Sequence, residues 1–252
     1  MIVAVSGAGG RMGGLVAQTV ADTTDLELGP LYDPRDAGST VAGATIGRDP
    51  AALAGADVVV EFTEPDVVMG NLAAWRSLDL HAVVGTSGFD ASRVTELREE
   101  WGSGPPNCLI VPNFSIGAVV MMRLSEIAAP HFAAAEVIEM HHDRKVDAPS
   151  GTAIATAERI AAIASQDRAV GSAELIPGAR GADAAGIPVH AVRLPGLVAH
   201  QQVLFGGVGE TLTIRHDTSD RTAFMPGVLA AIRAVATLPD AVTVGLESVL
   251  GI

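Results

Sequence analysis

Ile2-Val3-Ala4-Val5-Ser6-Gly7-Ala8-Gly9-Gly10-Arg11-Met12-Gly13 opens the chain, and its reading decides the fold. The first five residues make a short, mostly apolar strand. Glycines follow at 7, 10 and 13, and Leu15, Val16 and Val20 then give an apolar helical pattern. Strand, glycine turn and helix in this order begin a dinucleotide-binding unit. One glycine makes the turn, one lets a pyrophosphate approach the backbone, and one lets the helix pack against the strand. The helix N-terminus offers its unpaired N–H groups to the phosphates. The placement between a strand and a helix is what gives the motif its weight.

The next apolar strand, about Leu26–Tyr32, ends at Asp33, 20 residues past Gly13, where an acidic residue binds the adenosine ribose hydroxyls. Asp33-Pro34 is also a turn signal, and both readings hold together. A carboxylate there repels a 2′-phosphate and favours NADH; Arg11 and Arg35 soften this and leave NADPH open. Strands are expected at Asp57–Phe62, His81–Val84 and Leu109–Val111. Between them come a helix beginning near Thr63-Glu64-Pro65-Asp66 and running to Ser77, and another over Ala91–Trp101. The alternation predicts an α/β fold with a Rossmann-like, doubly wound parallel sheet. Ligands sit at the carboxyl ends of such strands, so Gly85-Thr86-Ser87 and Val111-Pro112-Asn113-Phe114 should line the nicotinamide end of the cleft.

The pattern changes after Ser115. A helix is expected over Gly117–Ala128, then a strand over Ala135–Met140 that delivers His141 and His142. Pro149-Ser150-Gly151-Thr152 opens a helix to about Ala164, with Ser150 as its N-cap. Backbone N–H groups at Gly151 and Thr152 could hold a carboxylate. Between these elements lies Lys145, the only lysine among 16 basic residues. Arginine would serve for charge; it cannot release a proton near neutral pH, and an ammonium can be tuned to do so. A tunable acid, imidazoles and an anion-binding helix start suit reduction of a small, anionic, unsaturated substrate. Hydride adds to carbon, charge develops on the conjugated nitrogen or oxygen, and a proton donor quenches it.

Residues 171–188 read as a Gly/Pro/Ala-rich functional or contact loop. Strands follow near Val189–Leu194, Gln201–Phe205 and Glu210–His216, the last two as a hairpin, and a final helix spans about Thr222–Ala236. The domains are expected at 1–113 with 222–252, and at 114–221. The second is α+β with a mixed open sheet whose edge invites an oligomer.

The net charge of −13 argues against nucleic acid. No apolar run is long enough for a bilayer, and the N-terminus does not read as a signal peptide, so a cytoplasmic protein is expected. Cys108 is alone and begins an apolar run, as a buried thiol does. No metal is expected: His141 and His142 point to opposite strand faces, with neither a nearby Cys nor a His-Glu-x-x-His. Ser150 lacks a nucleophile elbow.

The glycine motif with Glu139-Met140-His141-His142-Asp143-Arg144-Lys145-Val146-Asp147-Ala148-Pro149-Ser150-Gly151-Thr152-Ala153 closely resembles the 4-hydroxy-tetrahydrodipicolinate reductase family, long called dihydrodipicolinate reductases. Gly85–Phe89, Pro112–Ser115 and Val189–Arg193 extend the resemblance nearly end to end, and it is greatest to the shorter, actinobacterial-type members. It implies NADH- or NADPH-dependent reduction of a cyclic imine dicarboxylate on the diaminopimelate route to lysine. His141 becomes the proton donor or acceptor and Lys145 the proton donor. His142, Gly151 and Thr152 bind substrate, with Ser150 at the same helix start. Gly7, Ala8, Gly9, Gly10, Arg11, Met12, Asp33, Gly85, Thr86, Ser87, Val111, Pro112, Asn113 and Phe114 bind cofactor. The resemblance further implies a homotetramer built on the second sheet. Asp143 departs from many members, and an acid there is expected to raise the proton affinity of a neighbouring imidazole or ammonium. Residues alone leave open a reductase of another small imino or amino acid, or a cofactor-binding redox sensor.

Overall fold

The computed structural model describes residues 1–164 and 171–252. The chain divides into two compact units, Met1–Ser115 with Phe224–Gly251, and Ile116–Ala223.

The first unit runs β1 (Ile2–Ser6), α1 (Arg11–Ala21), β2 (Glu27–Tyr32), β3 (Thr40–Val41), β4 (Ala44–Gly47), β5 (Val58–Glu61), α2 (Val68–Ser77), β6 (His81–Val84), α3 (Ala91–Trp101) and β7 (Cys108–Ile110). The sheet order is β7-β6-β5-β1-β2-β4-β3, and every pairing is parallel except β3 with β4. Parallel strands buried on both faces read as continuous apolar runs, and Val58-Val59-Val60 is one. Ala4, Val59, Ala82, Val84, Cys108 and Ile110 pack under Leu72, Trp75, Leu97 and Trp101 of α2 and α3. The alternate residues Val3, Val5, Val58, Val60 and Val83 are equally buried on the other face. Burial pushes the Cys108 thiol up and out of reach of neutral-pH chemistry.

The second unit runs α4 (Ile116–Ala128), β8 (Ala134–His141), α5 (Gly151–Ile163), β9 (Ala182–Ala184), β10 (Ile187–Arg193), β11 (Ala199–Gly207) and β12 (Glu210–Thr218). Its mixed sheet has the order β12-β11-β8-β10-β9, with β8 and β10 parallel and the other pairs antiparallel. Ala135, Val137, Val189, Val203 and Phe205 form one buried face with Ala153, Ala157 and Ile160 of α5. The chain then returns to the first unit as α6 (Met225–Ala234), β13 (Val242–Val244), which pairs parallel with β7, and α7 (Glu247–Leu250).

Two expectations are corrected. Pro65 does not lie in the first turn of α2, which begins at Val68; residues 63–67 stay outside the helix, fastened to buried groups described below. The stretch 171–188 is not a plain loop, because Ala182–Ala184 pairs with Ile187–Val189 as an edge strand. The short elements β3, β4 and β13 were not expected at all.

Candidate active site

In the first unit the glycine loop is fixed by sterics. Gly7 has φ +77°, and a Cβ on it would lie 2.2 Å from Phe62 O. A Cβ on Gly13 would lie 2.0 Å from Gly7 O, so helix and turn touch backbone to backbone. The Gly7 N–H donates to Tyr32 O at 2.8 Å, and the Gly10 N–H to Gly7 O at 3.0 Å. Asp33 faces the same loop. It accepts from the Gly9 N–H at 3.2 Å and the Arg35 N–H at 3.0 Å. A cavity of about 390 Å³ is lined by Gly7, Gly10, Asp33, Arg35, Thr63 and Glu64, among others. A glycine cradle beside an acidic residue after β2 fits a dinucleotide. Ala8 is buried, Met12 half-buried, and Arg11 exposed at the start of α1; none of the three lines the cavity.

The loops after β6 and β7 lie outside that cavity, at the carboxyl edge of the same sheet. Gly85 is required there: a Cβ would come within 2.3 Å of the Phe62 ring and 2.8 Å of the Phe114 ring. Those rings pack with centroids 5.5 Å apart. The Thr86 hydroxyl accepts from the Thr63 N–H at 2.9 Å and donates to Glu61 O at 3.3 Å, so it staples β6 to the end of β5. Ser87 and Pro112 are exposed; Val111 is buried and Asn113 half-buried. Asn113 Oδ1 accepts from the Ser115 N–H at 2.9 Å. Beneath this edge Glu61 is fully buried, held by Trp75 Nε1 at 2.8 Å, Asn71 Nδ2 at 3.1 Å and the Thr63 hydroxyl.

In the second unit one carboxylate organises the polar loop. Glu139 is fully buried on the apolar face of β8, two residues from His141. It accepts from His141 Nδ1 at 2.6 Å, from Arg193 Nη1 and Nη2 at 2.7 Å each, and from the Ser150 N–H at 3.0 Å. Arg193 stands opposite His141 in the β8–β10 register and also donates to Asp147 O at 2.7 Å. The chain leaves the sheet at His141 and re-enters regular structure at Gly151, so both ends of the loop are tied to one carboxylate. Burial alone would raise the Glu139 carboxyl. The hydrogen bonds from His141, Arg193 and Ser150 outweigh it and hold the group at about 2.

Lys145 Nζ donates to both oxygens of Asp147, at 2.7 and 2.8 Å. That ammonium holds the Asp147 carboxyl below its ordinary range. The carboxylates paired with His141 and Lys145 are Glu139 and Asp147; Asp143 is exposed and makes neither contact. His142 is half-buried, and its Nδ1 is buried without a hydrogen-bond partner. Ser150 caps α5 by accepting from the Ala153 N–H at 3.2 Å. Nothing lies within 4 Å of where a Gly151 side chain would begin, so a ligand can approach that backbone.

Glu139 and Arg193 are the residues that sequence reading passed over as a site. The signal for Glu139 was present: Ala135, Val137, Glu139 and His141 share one strand face by period two, and a charge on an apolar face needs a partner. Nothing local pointed to Arg193, 54 residues away.

The family description "Dihydrodipicolinate reductase, N-terminus" matches residues 1–114, and "Dihydrodipicolinate reductase, C-terminus" matches residues 117–250. A 4-hydroxy-tetrahydrodipicolinate reductase of Cutibacterium acnes is 50% identical over 99% of this chain and 98% of its own length. One from Mycobacterium marinum is 48% identical over 100% of both. A solved dipicolinate-bound dihydrodipicolinate reductase from a Paenisporosarcina species superposes with a TM-score of 0.86 at 36% identity, covering 98% of each chain. A glycine cradle beside Asp33, the Glu139-centred His–Lys loop and full-length kinship lead to one conclusion: this chain belongs to the dihydrodipicolinate reductase family.

Proposed function

We propose that the chain reduces 4-hydroxy-tetrahydrodipicolinate to tetrahydrodipicolinate with NADH or NADPH, releasing water, in lysine and diaminopimelate biosynthesis. Family membership makes it an oxidoreductase of this kind. The single observation that carries the residue assignment is the Glu139 cluster, which ties His141, the loop bearing Lys145 and the start of α5 together. The dinucleotide held at the glycine cradle supplies a hydride. The protein's own residues do the rest. His142 and the N–H groups at Gly151 and Thr152 hold substrate carboxylate, as a helix N-terminus does. Lys145 delivers a proton where negative charge develops as hydride adds to carbon, and His141 serves as a second proton donor or acceptor. Glu139 accepts a hydrogen bond from the Nδ1–H of His141, which leaves Nε2 for the substrate. Asp147 fixes the Lys145 ammonium in the loop.

The reading extends to a homotetramer built on the second sheet. β12 is its nine-residue edge, and the face away from α5 carries half-buried Ile138, Met140 and Leu204. Light scattering that returns only monomer at micromolar concentration would remove that part. No helix among the described residues is long and apolar enough to cross a membrane. A biosynthetic role places the enzyme in the cytoplasm, which cell fractionation checks.

The deciding experiment follows NADH and NADPH oxidation at the nicotinamide absorbance. Substrate is formed in the cuvette from pyruvate and aspartate semialdehyde by the preceding synthase. Oxidation that depends on the synthase is expected. Binding of both cofactors with turnover of neither would reject the substrate assignment.

A further inference from the structure

The nucleotide cavity of the first unit carries an ion pair that the reaction does not use. Arg35, two residues past Asp33, points both guanidinium ends at one carboxylate: Nη1 to Glu64 Oε1, and Nη2 to Glu64 Oε2 at 2.7 Å. Both residues line the cavity with Gly7, Gly10 and Asp33. Asp33 is committed to the Gly9 and Arg35 N–H groups, and Asp36 lies against Gly9, where a Cβ would meet its Oδ2 at 2.1 Å. In this fold an acidic residue after β2 meets the ribose 2′-hydroxyl, and a nearby arginine accommodates a 2′-phosphate.

We infer that Glu64 is a specificity residue: it sequesters Arg35 and so biases the protein toward NADH over NADPH. A 2′-phosphate entering beside Asp33 meets the carboxylates of Asp33, Asp36 and Glu64 and one guanidinium whose fork is already filled. NADH brings no charge to that corner and needs only the Asp33 carboxylate. The pair is a surface one, with side chains 72% and 54% exposed, so it contributes little to stability and its removal leaves the unit folded. A glutamine at 64 keeps the shape and gives up the charge. Arg35 is then free to take a phosphate bidentately.

The inference rests on the nucleotide-binding reading but not on the substrate, and it is tested without turnover. Dissociation constants of NADH and NADPH are measured by nicotinamide fluorescence at fixed ionic strength on the full-length protein. The variants are Glu64→Gln, Arg35→Ala and the double variant. Glu64→Gln should tighten NADPH roughly tenfold, from a released Arg–phosphate pair plus one lost repulsion, with NADH held within about twofold. Arg35→Ala in the Glu64→Gln background should erase the gain. An unchanged NADPH-to-NADH ratio in Glu64→Gln overturns the inference. So does a gain that survives Arg35→Ala, which would point to Arg11 instead. Failure of the wild type to bind either cofactor overturns the cofactor reading and this inference together.

Discussion

Replacing Glu139 by glutamine is the most revealing perturbation, because its cost can be worked from the structure. The carboxyl sits at about 2 in the folded protein against an ordinary 4.5. At about 1.4 kcal/mol per decade this corresponds to roughly 3 kcal/mol of folding free energy at neutral pH. The sign follows from the direction. A carboxyl lowered in the folded state stabilises fully above its unfolded value, and the contribution is lost as pH falls from about 5 toward 2. Breaking a buried ion pair from one side costs about 3–5 kcal/mol when the remaining charge is stranded. Arg193 would keep Val192 O at 2.8 Å and Asp147 O at 2.7 Å, which places Glu139→Gln at or below the lower end, roughly 2–3 kcal/mol. Urea unfolding of both proteins at one protein concentration, at pH 7 and pH 3.5, measures this. With the folded carboxyl at about 2, pH 3.5 removes only part of the contribution, roughly 1–1.5 kcal/mol, so the two curves should draw closer without meeting. A variant within about 0.5 kcal/mol of wild type at pH 7, with an unchanged pH slope, would refute the account of Glu139 as the organising charge.

Lys145→Arg keeps the charge next to Asp147 and removes the tunable acid; turnover should fall about a hundredfold or more, with cofactor binding unchanged by fluorescence, and near-wild-type turnover would reduce Lys145 to a charge contact. Gly13→Ala forces a Cβ to 2.0 Å from Gly7 O, so α1 must move off the glycine turn; NADH affinity should fall at least about tenfold and the melting temperature should drop, whereas Gly70→Ala, inside α2 with open space at its Cβ, should leave NADH affinity unchanged and raise the melting temperature slightly. Trp75→Phe removes the indole donor to the buried Glu61 at 2.8 Å and should cost about 1–3 kcal/mol in chemical denaturation; a cost below about 0.5 kcal/mol would reject that account of the indole.

Several features needed nothing beyond the sequence. The strand–glycine–helix opening, the alternation through Ile110 and the β11–β12 hairpin are local patterns, set by side-chain period and by glycines that alone fit a turn. The capping role of Ser150 and the singular Lys145 were legible in the same way, since a cap contacts its own first turn and a lone lysine is a matter of composition. The elements missed, β3, β4, β9 and β13, run two to four residues, too short to show a period. The choice of partners lay beyond the sequence. Arg193 reaches Glu139 across 54 residues because β10 lies parallel to β8 with Arg193 opposite His141, and a shift of one residue would turn its side chain to the other face. Arg35 reaches Glu64 across 29 residues because residues 63–67 stay outside α2, held by Thr86 and Glu61. Asp143 and Asp147 stand equally far from Lys145 in sequence, and only the folded loop selects Asp147 as its partner. Charge pairing acts through space at a few ångströms, and only the tertiary structure, through sheet register and tethered loops, decides which distant charges come that close.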